Sequence, residues 1–300
     1  MAGLVRQIEG KVVMIFQNTI KRAITTVLGN HPRMHRIPFG PLRGSRICTR
    51  PQISLRMYLG IDEPWIAATA RDIIGPGDTI YDIGAHIGYT TLLFAKILGG
   101  TGSVHAFELL PSTVEKFLTK SVQSNEFKNI HIHTVGLGET ETTIELPVGP
   151  TYMSTMSTVR FESGDEYVET YGRDVCKIVT LDCYATANNI PAPAMMKIDI
   201  EGAEIECLRG ARKIIRDHGP KLVVEFHSAD LLREGYMLLK SWGYQLTSQD
   251  GTVIDQSYVD GLTQFHASVL CVRDRESSQT ESLRTTDSSA SRDVGERLCE

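Results

Sequence analysis

The sequence predicts an open α/β fold, a mostly parallel sheet with helices on both faces. Short apolar runs alternate with longer amphipathic ones through most of the chain, as they do when βα units feed a parallel sheet. The segment Tyr81 to Gly88, YDIGAHIG, reads as a buried strand ending in an acid, then a glycine turn that opens a helix. A second strand, Ser103 to Phe107, ends on Glu108, twenty-six residues after Asp82. Sheets of this kind bind ligands where such a turn meets the carboxyl ends of the strands.

Residues 1–30 form a separate unit. Leu4, Val5, Ile8, Val12, Ile15, Phe16, Ile20, Ala23, Ile24, Val27 and Leu28 recur at helical intervals, which predicts an N-terminal amphipathic helix. Charged residues interrupt it too often for a membrane span, and it lacks the small-residue cleavage site of a secretory signal. It is expected to pack on the main domain or on a second copy in a homodimer. Peripheral membrane contact is the alternative, because its polar face is mildly basic.

Residues 31–273 read as a single domain. Its seven strands are expected near 79–82, 103–108, 130–136, 194–199, 221–227, 244–248 and 267–272, and its helices near 63–74, 88–98, 112–125, 203–217 and 229–242. Ser228 is suited to cap the last of these helices. Residues 139–177 break the alternation and are read as a substrate-side insertion. Beyond Arg273 few large aliphatic residues remain, so 274–300 is expected to be a disordered tail.

Glycine suits the turn because no Cβ blocks a ligand's approach to the backbone. The pattern is Gly84-x-x-x-Gly88. It lacks the third glycine of a dinucleotide fingerprint and the Lys-Ser/Thr ending of a P-loop. Asp82 suits a ligand with an amino group better than one with two phosphates. S-adenosyl-L-methionine has that group, and a carboxylate that can face the helix N-terminus at Gly88. Glu108 is placed to accept its ribose hydroxyls. The plainer alternative is that Asp82 only caps the helix.

Composition is that of an ordinary globular enzyme, 41% hydrophobic. A net charge of −5 gives no electrostatic reason to expect nucleic acid. The six cysteines show no CxxC spacing, and several sit in apolar patterns. Reduced thiols and a cytoplasmic location are therefore expected, and the cysteines build no metal cluster.

A second constellation is Met196 to Glu204, MKIDIEGAE. Strand alternation puts Lys197, Asp199 and Glu201 on one side, at a strand end where ionisable groups need partners. Either they serve the ligand or Asp199 or Glu201 caps the following helix. The next strand ends in Glu225-Phe226-His227, and a histidine there is a general-base candidate.

With these motifs the chain resembles the FkbM-type S-adenosylmethionine-dependent methyltransferases, from about Gly40 to about Val272. The resemblance rests on Gly75-Pro76-Gly77-Asp78 before YDIGAHIG, AFELLPS around Glu108, Thr180-Leu181-Asp182, MKIDIEGAE, and Leu208-Arg209-Gly210-Ala211 leading to VVEFH. It implies a class I methyltransferase (Rossmann-like) fold with a seven-stranded sheet, and O-methylation of a hydroxyl on a small molecule or sugar. It also implies that Asp82, Gly84 and Gly88 line the methionine end of the cofactor and Glu108 the ribose. Two positions depart from the family pattern inside this site. His86 stands where the family usually has Asn, and Glu139 would replace the usual acid near the adenine.

The expected chemistry is direct displacement at the cofactor's methyl carbon, with His227 as the first choice of base beside Asp199 and Glu201. No metal is assigned, although two acids and a histidine can make an oxygen-rich cation site. Two other readings remain: a catalytically inactive methyltransferase-like binding protein, and a nicotinamide-dependent oxidoreductase. The second needs the missing turn glycine and leaves MKIDIEGAE unexplained.

Overall fold

The computed structural model describes residues 32–50, 55–147 and 172–273. The expected N-terminal helix and C-terminal tail, and residues 148–171 of the insertion, lie outside the described residues. In chain order the elements begin with β1 (Arg33–Arg36), β2 (Arg46–Thr49), α1 (Leu55–Leu59), α2 (Pro64–Ile73), β3 (Thr79–Ile83), α3 (Tyr89–Leu98) and β4 (Ser103–Phe107). Helix α4 follows, from Pro111–Thr113 through a π-helical turn, Val114–Leu118, to Thr119–Gln123. Next come β5 (Ile130–His133), β6 (Gly136–Leu137), β7 (Thr142–Pro147), β8 (Arg173–Val179), α5 (Leu181–Ala187) and β9 (Met195–Ile198). The chain continues with α6 (Glu204–Gly210), α7 (Arg212–His218), β10 (Lys221–Phe226), α8 (Ala229–Ser241), β11 (Tyr244–Thr247), β12 (Val253–Ile254), α9 (Gln256–Asp260) and β13 (Ala267–Arg273).

The main sheet has the order β12-β11-β13-β10-β9-β3-β4-β5. The seven expected strands are all in it, and the two-residue β12 adds an edge. From β5 to β10 the pairs are parallel, whereas β13 runs antiparallel to both β10 and β11. Alternation along the strands sends side chains to two cores. Tyr81, Phe107, Met196, Val224 and Phe226 pack with α6, α7 and α8 on one face. Ile80, Val104, Met195 and Val223 pack with α2 and α3 on the other. Ser228 caps α8 as expected, accepting from the Leu231 backbone N–H at 3.2 Å.

The site is positioned at the reversal of strand order. β3 lies between β4 and β9, and Asp82 pairs with Lys197, Ile83 with Ile198. The connections leave β3 in opposite directions, which opens a crevice at its carboxyl end.

Two elements differ from expectation. The strand expected over 130–136 divides, because β5 stays in the main sheet while β6 joins a second sheet of order β6-β8-β7. The helix expected over 203–217 breaks at Ala211 into α6 and α7. Gly210 ends α6 so close to the β6 connection that a Cβ there would lie 1.9 Å from the Gly138 carbonyl oxygen. Cys48, Cys176, Cys207 and Cys271 are buried free thiols. Cys183, half-buried on α5, is disulfide-bonded and departs from the expected reduced state. Among the described residues no helix is long and apolar enough to cross a membrane.

Candidate active site

The turn after β3 is shaped by backbone that only particular residues tolerate. Gly84 and Gly88 have φ of 80° and 93°, and His86 has 49°, all in the left-handed region that favours glycine. A Cβ on Gly84 would lie 1.8 Å from the Asp199 carbonyl oxygen, so β3 and β9 meet here only because position 84 is bare. Glu108, at the end of β4, accepts the His86 N–H at 2.8 Å and the Leu110 N–H at 3.0 Å. Its carboxylate is thus locked beside the turn.

A cavity of about 370 Å³ opens over this turn. One wall is apolar, with Phe107, Leu109, Val135, Leu137 and Ile178. The other end carries Glu63, Asp199, Glu201, Glu225, His227 and His266. Burial pushes the Glu63 carboxyl up to about 7; Lys197 partly relieves this, while Asp199 and Glu225 add repulsion. Burial also opposes ionisation of Asp199, but the Lys197 ammonium 3.0 Å away outweighs it and holds Asp199 below the usual carboxylate range. Burial raises Glu201 as well. For His227 burial lowers basicity, but its hydrogen bond to Glu204 and the nearby acids raise it above the ordinary imidazole value.

Of the residues expected at the site, Gly84, His86, Glu108, Asp199, Glu201 and His227 line the cavity. Asp82, Gly88 and Glu139 do not, and each has a physical reason. Asp82 shares a sheet face with Lys197, towards α3. It is fully buried there, accepts the hydroxyls of Thr90 and Thr91, and lies 3.9 Å from the Lys197 ammonium. Gly88 caps α3, and a Cβ on it would meet Leu118 of α4 at 2.8 Å. Glu139 is half exposed and pairs with Arg209 at 3.3 Å. Gly136 and Leu137 line the cavity in its place. The capping alternative for MKIDIEGAE fails too, since no side chain caps α6.

Glu204, Glu63, Glu225 and His266 were not singled out from sequence. Glu204 is fully buried, accepts the Gly202 N–H at 2.8 Å, and lies 2.9 Å from Nδ1 of His227. A signal for it existed. It falls three and four residues before Cys207 and Leu208 on the buried face of a short helix, where an acid demands a partner. Glu63 and His266 carry no such signal, because only the folded topology brings them to Glu225.

The strand order, the glycine turn and the acid ending β4 define a class I methyltransferase. The chain belongs to the FkbM methyltransferases, as a match to the Methyltransferase FkbM domain over residues 82–246 shows. Its cofactor is S-adenosyl-L-methionine. The residues fit that group: a bare backbone at Gly84, a fixed carboxylate at Glu108 and an apolar wall beside them.

Among solved structures, an FkbM methyltransferase from Methylobacillus flagellatus KT is similar at 20% identity and a TM-score of 0.41, covering 73% of this chain. The chain spans only 52% of the length of that protein. Aeropyrum pernix fibrillarin, solved with natively bound S-adenosyl-L-methionine, is similar at 16% identity and TM-score 0.41, covering 69% of this chain and 76% of its own. An S-adenosylmethionine-dependent O-methyltransferase from Thermotoga maritima matches at 10% identity and TM-score 0.41, over 70% of this chain and 65% of its own. No curated protein sequence matches the chain.

Proposed function

We propose that this chain transfers a methyl group from S-adenosyl-L-methionine to a hydroxyl oxygen of a small molecule or sugar. One observation carries the choice of oxygen. His227 is held by Glu204 at Nδ1, which leaves Nε2 at the cavity end, 3.6 Å from the Asp199 carboxylate. A hydroxyl must shed a proton as it attacks, and this pair is built to receive one.

When bound, the cofactor supplies an electrophilic methyl group on a positive sulfonium. Gly84, His86 and Glu108 would hold its nucleoside and methionine parts, with the apolar wall beside them. With the cofactor bound, the hydroxyl oxygen would form a bond to the methyl carbon as the carbon–sulfur bond breaks and its electron pair leaves on sulfur, while the hydroxyl proton would pass to the His227–Asp199 pair. Alignment of the two reactants in the cavity adds to proton transfer. The acids at the polar end repel phosphates, which supports an uncharged polyol and disfavours nucleic acid as the acceptor.

Replacing His227 by Ala tests the reading. Methyl transfer should fall roughly 100- to 10,000-fold, while S-adenosylhomocysteine affinity stays within a few-fold. Near-normal turnover by the variant would remove His227 from the reaction.

A further inference from the structure

Glu225, His227 and His266 each offer one ligand atom within 4.8 Å of the others. They stand at adjoining strand ends. Phe226 of β10 pairs with Ala267 of β13, so His227 and His266 leave the sheet side by side with ring centroids 4.7 Å apart. The set is ordered from behind. Fully buried Glu204 fixes Nδ1 of His227, which turns Nε2 to within 3.9 Å of Glu225 Oε1. Ser268 donates to the other Glu225 oxygen at 3.3 Å. A carboxylate behind an imidazole, and a donor behind a carboxylate, are how metal ligands are oriented. Glu63, Asp199 and Glu225 also gather within 4.8 Å; Lys197 is shared between Asp82 and Asp199, and His266 Nε2 lies 2.9 Å from Glu225 Oε1. Beside the cofactor cavity, Glu225 and His266 line a second cavity of about 460 Å³ with Arg56, Trp65 and Gln249.

We propose that Glu225, His227 and His266 bind a first-row divalent cation, of the zinc or cobalt type, between the two cavities. Two imidazoles with one carboxylate suit such ions better than magnesium or calcium. The purpose of the cation rests on the proposed methyl transfer, but its detection does not. A hydroxyl bound to the ion is more acidic. Its proton would pass to Asp199, its oxygen would form the bond to the methyl carbon, and the carbon–sulfur bond would break with its electron pair leaving on the cofactor's sulfur. The same Nε2 of His227 serves both states: with the ion bound it is a ligand and Asp199 takes the proton, and without the ion the His227–Asp199 pair takes it.

The test is titration of the chelator-stripped, full-length chain with Co²⁺ alone. One ion per chain, visible d–d absorption bands and a higher melting temperature are expected. His266→Ala and Glu225→Gln should abolish all three, and His131→Ala, outside the site, should change none. S-adenosylhomocysteine binding by each variant shows that it folds. Where a variant does not fold, the wild-type spectrum decides, since strong near-ultraviolet thiolate bands would place the ion on cysteine and overturn the site. Binding that survives both substitutions in folded protein would overturn it as well. A chain that binds S-adenosylhomocysteine but no Co²⁺ would remove the cation and leave the methyl-transfer reading standing.

Discussion

Glu204 shows how a single residue gains a role from its surroundings. Its carboxylate is fully buried, with one oxygen on His227 and the Gly202 N–H and the other without a partner. Burying a carboxylate oxygen without a partner is costly. We assign it to positioning: it fixes the His227 ring through Nδ1, so that Nε2 faces Asp199 and Glu225. Glu204→Gln should keep S-adenosylhomocysteine affinity within a few-fold and lower kcat more than it raises KM. A change in KM alone would contradict the assignment. Asp82 teaches the opposite lesson. From sequence it looked like a cofactor ligand because it precedes the glycine turn. Its direction depends on pairing with Lys197 across β3 and β9, and that pairing is invisible in a single strand. Asp199, Glu201 and His227 were legible because each ends a strand or follows one, where side chains reach the crevice.

Elements were the most legible level, because periodicity is a local property. Every expected strand of the main sheet exists, and the helices near 63–74, 88–98, 112–125 and 229–242 fall within two residues of expectation at each end. The failures lie where two distant backbones touch, as at Gly210 against Gly138. Pairing of β4 with β5 also builds a cluster that neither strand announces. His105 bonds to His133 at 3.0 Å and stacks on His131 with centroids 4.7 Å apart. Burial pushes His105 and His133 down to about 4, aided by the charges of His131 and His133 on His105 and of His131 on His133. Unfolded histidine titrates near 6.5, so below that pH the unfolded chain binds more protons than the folded one. The cluster's contribution to stability should then be constant above pH 7 and fall as pH drops from about 6.5 towards 4. Urea midpoints measured across that window should decline in the wild type and decline less in His105→Gln. Equal slopes for the two proteins would show that the cluster does not drive the loss.

At the scale of the whole molecule, the reversal of strand order gathers residues as far apart as Glu63 and His266 around one cavity. No reading of the linear chain could join them, whereas the FkbM family match covers the core between. Residues 1–30 lie outside the described residues, and we propose that they pack on this domain or on a second copy. Deleting residues 1–29 should leave cofactor binding intact and change the mass seen by light scattering or lower the melting temperature. Salt-sensitive sedimentation of the full-length chain with anionic vesicles, lost on deletion, would instead establish membrane docking. The central claim is that Gly84 and Glu108 cradle S-adenosyl-L-methionine, and calorimetric titration tests it most directly. The account predicts that S-adenosylhomocysteine binds one per chain, that NAD does not, and that Glu108→Ala weakens the binding roughly 10- to 100-fold by removing its hydrogen-bond acceptor. Binding of NAD without S-adenosylhomocysteine, or an unchanged affinity in Glu108→Ala, would contradict it.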